Sequence, residues 1–420
     1  MQGLQSRFED IDGDGDREVV VENRWIRAVL RFPEHLGYSF YKRRFTWGGR
    51  MQSLVYRPTG TEYFLPRMVD LEGINPFGLP DELFQSFEFI DADGAERILK
   101  MGVGVFRSEI EEEGFQPLPW TWSREEKEDE LVVVFRQEVE AVGPYSYVYE
   151  KRYRFRPEAA WFALDVVLEN RGGSTIATSW DIHSFHVAGV PPNTSWLVAP
   201  KHCWTSCGNS RIRTNRKEAS PIMATPDTRE MVADRIVWDT DGTPWWYALG
   251  PGTGAEFYLL HARFEPYWGM FWAGYDAFTP QGINNVEVPP GDSATWGFDV
   301  TVGVGARNFV EAGVDSGITV DVEDGRSARV SAHVASRREG RLSVRVADQK
   351  GHQISRHERV EAAAPEQPLT IDVPLQDCGD FCQVSISYDA PNFPLVHAVE
   401  HVPLGPARPT AHLPFDASAA

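Results

Sequence analysis

The chain has no apolar run approaching the roughly 18–20 residues that a membrane-spanning helix needs. It also lacks an excess of basic charge: 41 Lys and Arg stand against 61 Asp and Glu, for a formal net charge of −20. A nucleic-acid binder ordinarily carries a basic face, and an anionic membrane surface repels so acidic a chain. Neither nucleic acid nor a membrane is therefore an expected partner. The charge points to a neutral ligand, or to an anionic one met only at a local basic site. The segment Met1–Asp16 has neither the basic start nor the apolar stretch of a signal peptide. A soluble protein is expected, either cytoplasmic or secreted with its signal already removed. Cysteine is scarce, with four residues in two widely separated C-x3-C pairs, Cys203 with Cys207 and Cys378 with Cys382. Zinc knuckles prefer C-x2-C spacing, so two local disulfides or four free thiols are expected instead. There is no Walker A loop, no G-x-G-x-x-G after a strand, no H-E-x-x-H and no G-x-S-x-G elbow. Nucleotide cofactors and serine-hydrolase chemistry are not expected.

Strand patterns fill the space left by these absences. In Trp161–Asn170 the alternation puts Phe162, Leu164, Val166 and Leu168 on one face. Leu131–Val139, Tyr145–Phe155 and Thr295–Val304 also read as strands rich in β-branched and aromatic residues. Pro and Gly punctuate at short intervals, as at Pro289-Pro290-Gly291-Asp292. No helical pattern extends beyond about two turns. The fold class is all-β, built from sandwiches or barrels of antiparallel strands. A boundary falls near residues 306–316, where aromatic density drops: of 14 tryptophans none lies beyond Trp296. The expected organisation is an N-terminal segment 1–22, a large sandwich 23–306, a small immunoglobulin- or fibronectin-like sandwich 315–404 and a loose tail 405–420. In the small sandwich, Ile318–Val322, Ala328–Val334, Leu342–Val346 and Gln383–Tyr388 are the strand candidates.

The sharpest local signal is the acidic turn Asp10-Ile-Asp12-Gly-Asp14-Gly15-Asp16-Arg-Glu18. Calcium takes about six to eight oxygens, and this spacing supplies carboxylates at alternate positions, with Gly15 permitting a sharp bend. Asp10, Asp12 and Asp14, the main-chain carbonyl of Asp16, and Glu18 would hold a structural Ca2+ that pins the N-terminus to a first strand at Val19–Glu22. The loop is shorter than an EF-hand and resembles those of dockerin- or integrin-type repeats. A solvated acidic turn is the alternative.

A second set of signals is spread along the chain in order. Tyr41 to Tyr56 contains Arg44-Phe45-Thr46-Trp47-Gly48 and Gln52-Ser53-Leu54-Val55-Tyr56. Ile98 to Arg107 reads I-L-K-M-G-V-G-V-F-R, Tyr147 to Lys151 reads Y-V-Y-E-K, and Ile176 to His186 reads I-A-T-S-W-D-I-H-S-F-H. Phe271-Trp272 leads to Pro280, and Pro290-Gly291-Asp292 leads to Trp296. This series resembles the motifs of the galactose mutarotase (aldose 1-epimerase) superfamily, in family order, over about 270 residues.

The resemblance implies a β-supersandwich and a carbohydrate partner. It also implies ring-opening chemistry, in which a base takes the anomeric hydroxyl proton and an acid protonates the ring oxygen. His183 matches the family histidine and is expected as the general acid, with His186 three residues on as a second candidate. Residues i and i+3 of one strand point to opposite faces, so the two share a site only if the strand bends or ends there. The family carboxylate falls at Gln281, which cannot accept a proton at neutral pH, and the family arginine falls at Tyr275. Asp276 and Glu287 are the nearby carboxylates that could replace the base. Lys100 and Arg107 could meet an acidic sugar, and Trp180, Trp268 and Trp272 offer flat faces to a pyranose. Three readings follow: an aldose 1-epimerase-like isomerase, a polysaccharide lyase acting on uronate-containing glycan, and a non-catalytic carbohydrate-binding module. In the lyase, Tyr275 with His183 or His186 would abstract the proton, and Lys100 or Arg107 would neutralise the carboxylate.

Overall fold

The computed structural model describes residues 3–11, 13, 15, 17–32, 45–46, 48–64, 68–70, 73–75, 78–107, 115–184, 186–187, 196–198, 203–207, 210–212, 220–221, 232–238, 246–250, 256–264, 268–274, 277–306, 308–323, 325–376, 378 and 380–404. Of these, 68–70, 73–75, 187, 196–198, 203–207, 210–212, 220–221, 232–238, 268–274, 277–281, 323 and 403 are described through the backbone alone. The segment 405–420 lies outside the described residues.

Among the described residues every regular element is a strand and the fold is all-β. The strands anticipated from alternation form as Leu131–Val142, Tyr145–Phe155, Trp161–Asn170 and Ser293–Val304. They run side by side within a nine-stranded sheet that continues through Glu256–Ala262, Trp246–Gly250, Trp196–Val198 and Ser220–Pro221, with Thr121–Glu126 at the other edge. An eight-stranded sheet contains Trp268–Gly274, Ala277–Val288, Ile176–Ile182 and Asp81–Leu83 as consecutive neighbours. Phe162, Leu164, Val166 and Leu168 all point into the core between the two sheets, as their spacing predicts. Trp180 of the eight-stranded sheet meets Trp296 of the nine-stranded one edge-on, with ring centroids 5.8 Å apart. Apolar burial of this extent, at about 25 cal/mol per Å2, is what holds two such sheets together.

The N-terminal residues continue the large sandwich. Gln5–Glu9, Glu18–Glu22, Ile26–Arg31, Arg50–Tyr56 and Thr61–Glu62 pair in sequence order as one five-stranded sheet. A four-stranded sheet, Ser86–Ile90, Glu96–Lys100, Gly104–Phe106 and Gln116–Pro117, is built around the Ile98–Arg107 motif. Its turn at Gly102 has φ +79°, and a Cβ there would sit 2.4 Å from the Thr46 methyl. Glycine is required at this position both for the left-handed backbone and for the close approach of Thr46.

From Phe309 onward the chain forms two four-stranded sheets around a separate core. One is ordered Phe309–Ala312, Ser316–Glu323, Ser327–Val334, Leu369–Pro374. The other is ordered Gln353–Ala363, Arg338–Ala347, Phe381–Asp389, Val396–Pro403. Ile318, Val330, Leu342, Val344, Val384 and Ile386 fill the space between them. Cys378 and Cys382 are disulfide-bonded within this core, whereas Cys203 and Cys207 are described through the backbone alone. The module joins the outer face of the nine-stranded sheet through Trp246, Phe257, Leu259, Ala306 and Phe309. A buried Asp315–Arg338 pair at 2.8 Å borders that junction.

Candidate functional site

The strand Ile176–Ile182 places alternate residues in two different surroundings. Trp180 and Ile182 turn into the core between the large sheets. Asp181 and His183 turn the other way, since successive side chains of a strand alternate. Asp181 stands directly across from Glu82 on the neighbouring strand. The imidazole Nε2 of His183 lies 3.1 Å from Asp181 Oδ2 and 3.4 Å from Glu82 Oε2. Lys100 Nζ is 3.1 Å from Glu82 Oε1 and donates to the Phe84 carbonyl at 2.9 Å. The ring of Phe45 packs edge-on against the imidazole at 4.8 Å. Two carboxylates directly opposite each other repel, and among the described residues Lys100 and the His183 imidazole accompany them. His183 itself is only 2% exposed. An imidazole touching two carboxylates, one of them held by an ammonium, is a set that can hold or move a proton.

On the core side of the same two strands a second charged group ties the sheets together. Asp81, next to Glu82, reaches across to the nine-stranded sheet, where Lys151 Nζ lies 2.6 Å from its Oδ1. Thr46 and Tyr149 donate hydroxyl hydrogen bonds to the same carboxylate, and Trp180 Nε1 donates at 3.3 Å. Burial alone would raise the Asp81 carboxyl, but Lys151 and the hydroxyl donors hold it below the usual carboxylate range. Burial draws the Lys151 ammonium down, against the pull of Asp81. Thr46 and Lys151 both belong to the sequence motifs, and here they meet at one carboxylate.

The sequence candidates separate accordingly. His183 and His186 do not come together. His186 turns into the core, with its Nε2 3.3 Å from the Tyr247 hydroxyl and its ring 4.6 Å from Tyr258 and 5.3 Å from Phe64. Burial pushes its imidazole down to about 3, so the ring is neutral at physiological pH and has no acidic proton to give. Trp180 is likewise buried in the core, so the alternation that presents His183 turns this tryptophan away from the same face. Lys100 is buried and bound to Glu82, while Arg107 is exposed just beyond Gly104–Phe106. The strand carrying Gln281 neighbours Ile176–Ile182 in the eight-stranded sheet, the strand carrying Trp268 and Trp272 lies one place beyond it, and Gln281 pairs with Met270 in register. Tyr275 and Asp276 lie outside the described residues.

Glu82, Asp181, Asp81 and Lys151 are the residues that sequence reasoning missed. Asp181 carried a signal, because it is two residues from His183 and must share its face. Glu82 carried none, because its proximity depends on a pairing about one hundred residues long in sequence separation.

At the N-terminus, Asp10 accepts backbone N–H bonds from Gly13 at 2.7 Å and Gly15 at 3.2 Å. Glu18 Oε2 accepts from the Ile11 amide at 3.0 Å, closing the turn. Gly13 and Gly15 have φ of 74° and 94°. Asp12, Asp14 and Asp16 lie outside the described residues.

No family model and no curated protein matches the sequence. Solved structures resemble its fold instead. A galactose mutarotase-like protein from Clostridium acetobutylicum is 11% identical, with a TM-score of 0.46 over 73% of this chain and 100% of that one. A galactose mutarotase related enzyme from Lactobacillus acidophilus is 11% identical, with a TM-score of 0.45 over 69% of this chain and 99% of that one. A GalM/aldose epimerase homologue from C. elegans is 7% identical, with a TM-score of 0.40 over 72% of this chain and 100% of that one.

Proposed function

We propose that the chain is a carbohydrate-active protein of the aldose 1-epimerase type, with His183 as general acid and the Asp181–Glu82 carboxylates as its base. The observation that carries this reading is the contact of the His183 imidazole with both carboxylates, at 3.1 and 3.4 Å. The ordered motifs support the same conclusion from the sequence. In the reaction a carboxylate takes the proton of the anomeric hydroxyl while His183 gives a proton to the ring oxygen, and the bond from the anomeric carbon to that oxygen breaks. Rotation about the adjoining carbon–carbon bond and reversal of the two proton transfers close the other anomer. The pair of carboxylates supplies the proton acceptor that Gln281 cannot be.

Exchange between the α and β anomers of free aldoses, followed by NMR, is the test. Wild type should accelerate exchange, and His183→Ala should slow it by about 100-fold or more. An exchange rate equal to that in buffer would reject catalysis. A second reading, a non-catalytic carbohydrate-binding protein, is favoured by the 2% exposure of His183. Binding of aldoses without accelerated exchange would support it.

Two further assignments belong to this reading. The small sandwich is taken as a fibronectin-like module, on the strength of its strand order. Asp10, Asp12, Asp14, Asp16 and Glu18 are taken as a structural calcium loop, supported by the way Asp10 and Glu18 draw its backbone closed. Millimolar Ca2+ should raise the unfolding midpoint of wild type and leave Asp10→Ala unmoved. An equal midpoint with calcium and with chelator would discard the loop.

A further inference from the structure

The strand Gln353–Ala363 is the outermost strand of its four-stranded sheet. It is 11 residues long, contains neither proline nor glycine, and is exposed over most of its length. An edge of that kind presents unpaired backbone groups to any strand that approaches, and natural proteins usually blunt it with proline, a bulge or short length; here the ladder to Arg338–Ala347 shifts register at Ile354 and is regular from Ser355 to Ala363. Pairing with Arg338–Ala347 sets Arg356 opposite Arg345, Glu358 opposite Ser343 and Val360 opposite Arg341. These residues lie on the face away from the core, because Leu342, Val344 and Val346 between their partners are buried. Ile354 and Val360, on that same face, are 38% and 64% exposed. Arg345 and Arg356 are like charges directly across from each other, an unfavourable arrangement. The nearby carboxylate of Glu358 is divided between Arg356 at 3.4 Å and Arg341 at 3.5 Å.

Read against its own reverse, the edge sequence is self-complementary. With His357 opposite its own copy, Arg356 meets Glu358 and Ile354 meets Val360, each twice. Sliding by one pleat in either direction sets Glu358 against Glu358 or Arg356 against Arg356, so like charge disfavours the neighbouring registers. We propose that this edge pairs antiparallel with the same edge of a second copy of the chain, centred on His357, joining two four-stranded sheets across a two-fold axis. Such a contact is isologous. It places a second carboxylate beside the Arg345–Arg356 pair and covers Ile354 and Val360. Pairing through one strand buries little area, which makes the dimer a weak one that forms at micromolar concentrations.

The test is the molecular weight of the full chain by analytical ultracentrifugation across the micromolar range, for wild type, Arg356→Glu and Glu358→Arg. Wild type should dimerise. Each single substitution creates two like-charge contacts across the axis and should weaken the dimer on the order of ten-fold or more. An equimolar mixture of the two variants restores opposite charge at both positions and should regain the dimer as a heterodimer. Unfolding midpoints close to that of wild type confirm that both variants fold, and Arg356→Glu relieves the repulsion from Arg345 within the chain. Wild type that stays monomeric overturns the proposal and leaves the edge to a strand of another protein. A dimer indifferent to both substitutions, or a mixture that fails to reassociate, overturns it equally.

Discussion

Between the two large sheets the packing is built from tyrosine, phenylalanine and tryptophan around ionised groups, among them Tyr149, Trp180, Asp81 and Lys151. Between the two small sheets it is built mostly from valine, alanine, leucine and isoleucine, with Tyr388 the one fully buried aromatic of the cluster, around a disulfide. Both solutions make a stable sandwich. Removing charges from water costs several kcal/mol per ion unless every partner is in place, and the small module also buries charges, Asp315 with Arg338 at 2.8 Å and Glu400. The large sandwich keeps a fully hydrogen-bonded carboxylate at Asp81, immediately beside the Glu82–His183–Asp181 contact. That four-donor carboxylate sits next in sequence to Glu82 of the proposed chemistry.

Breaking each core in its own way sharpens that contrast. The largest effect should come from Lys151→Met, which strands the Asp81 carboxylate without its cation and should cost about 3–5 kcal/mol in denaturant unfolding. Adding Asp81→Asn should recover much of that loss, since both charges are then gone. A double variant no more stable than the single one would mean that the pair contributes little. The matched break in the small core, Leu342→Ala, removes apolar packing alone and should cost about 2–4 kcal/mol. No second substitution by a neutral polar residue should rescue it, and a rescue would contradict the reading that Leu342 contributes apolar packing alone.

The smallest effect should be a pH dependence. On the outer face of the nine-stranded sheet, burial pushes the Asp299 carboxyl up to about 6 despite Arg263, whose Nε lies 2.8 Å away. Its ordinary value is 3.8, so between about pH 6 and 4 the folded protein holds a proton that the unfolded chain has released. This group therefore makes the protein more stable as pH falls through that window, by about 1–3 kcal/mol. The Asp81 carboxyl is shifted the other way, so its contribution is lost only as pH falls below the ordinary carboxylate value. Stability curves at pH 7 and 5 should differ for wild type and converge for Asp299→Asn. Identical slopes in the two proteins would rule Asp299 out as the source.

Much of the fold was legible in the sequence because strand alternation is local. Phe162 to Leu168 sort to one face with no knowledge of what they pack against, and the strands of the small sandwich announce themselves in the same way. The site was legible only in part. Its histidine came from motif order, and Asp181 was readable from the parity of its strand. Trp180 was assigned to the ligand although the same parity turns it from His183. Glu82 depends on a strand pairing about one hundred residues away in sequence, and Asp81 with Lys151 on two sheets meeting, neither of which a local pattern encodes. Charged residues in a strand ordinarily signal an exposed face, and these three are exceptions because each finds its partner at long range.

At its C-terminal end the strand Ile176–Ile182 divides two compartments by the thickness of a single sheet, Trp180 and Ile182 on the greasy side and Asp181 on the ionic one. A codon inserted or deleted within this strand would exchange them, sending Asp181 among the aromatic rings and Trp180 toward Glu82 and Lys100. This strand therefore tolerates a change of side chain more readily than a change of count.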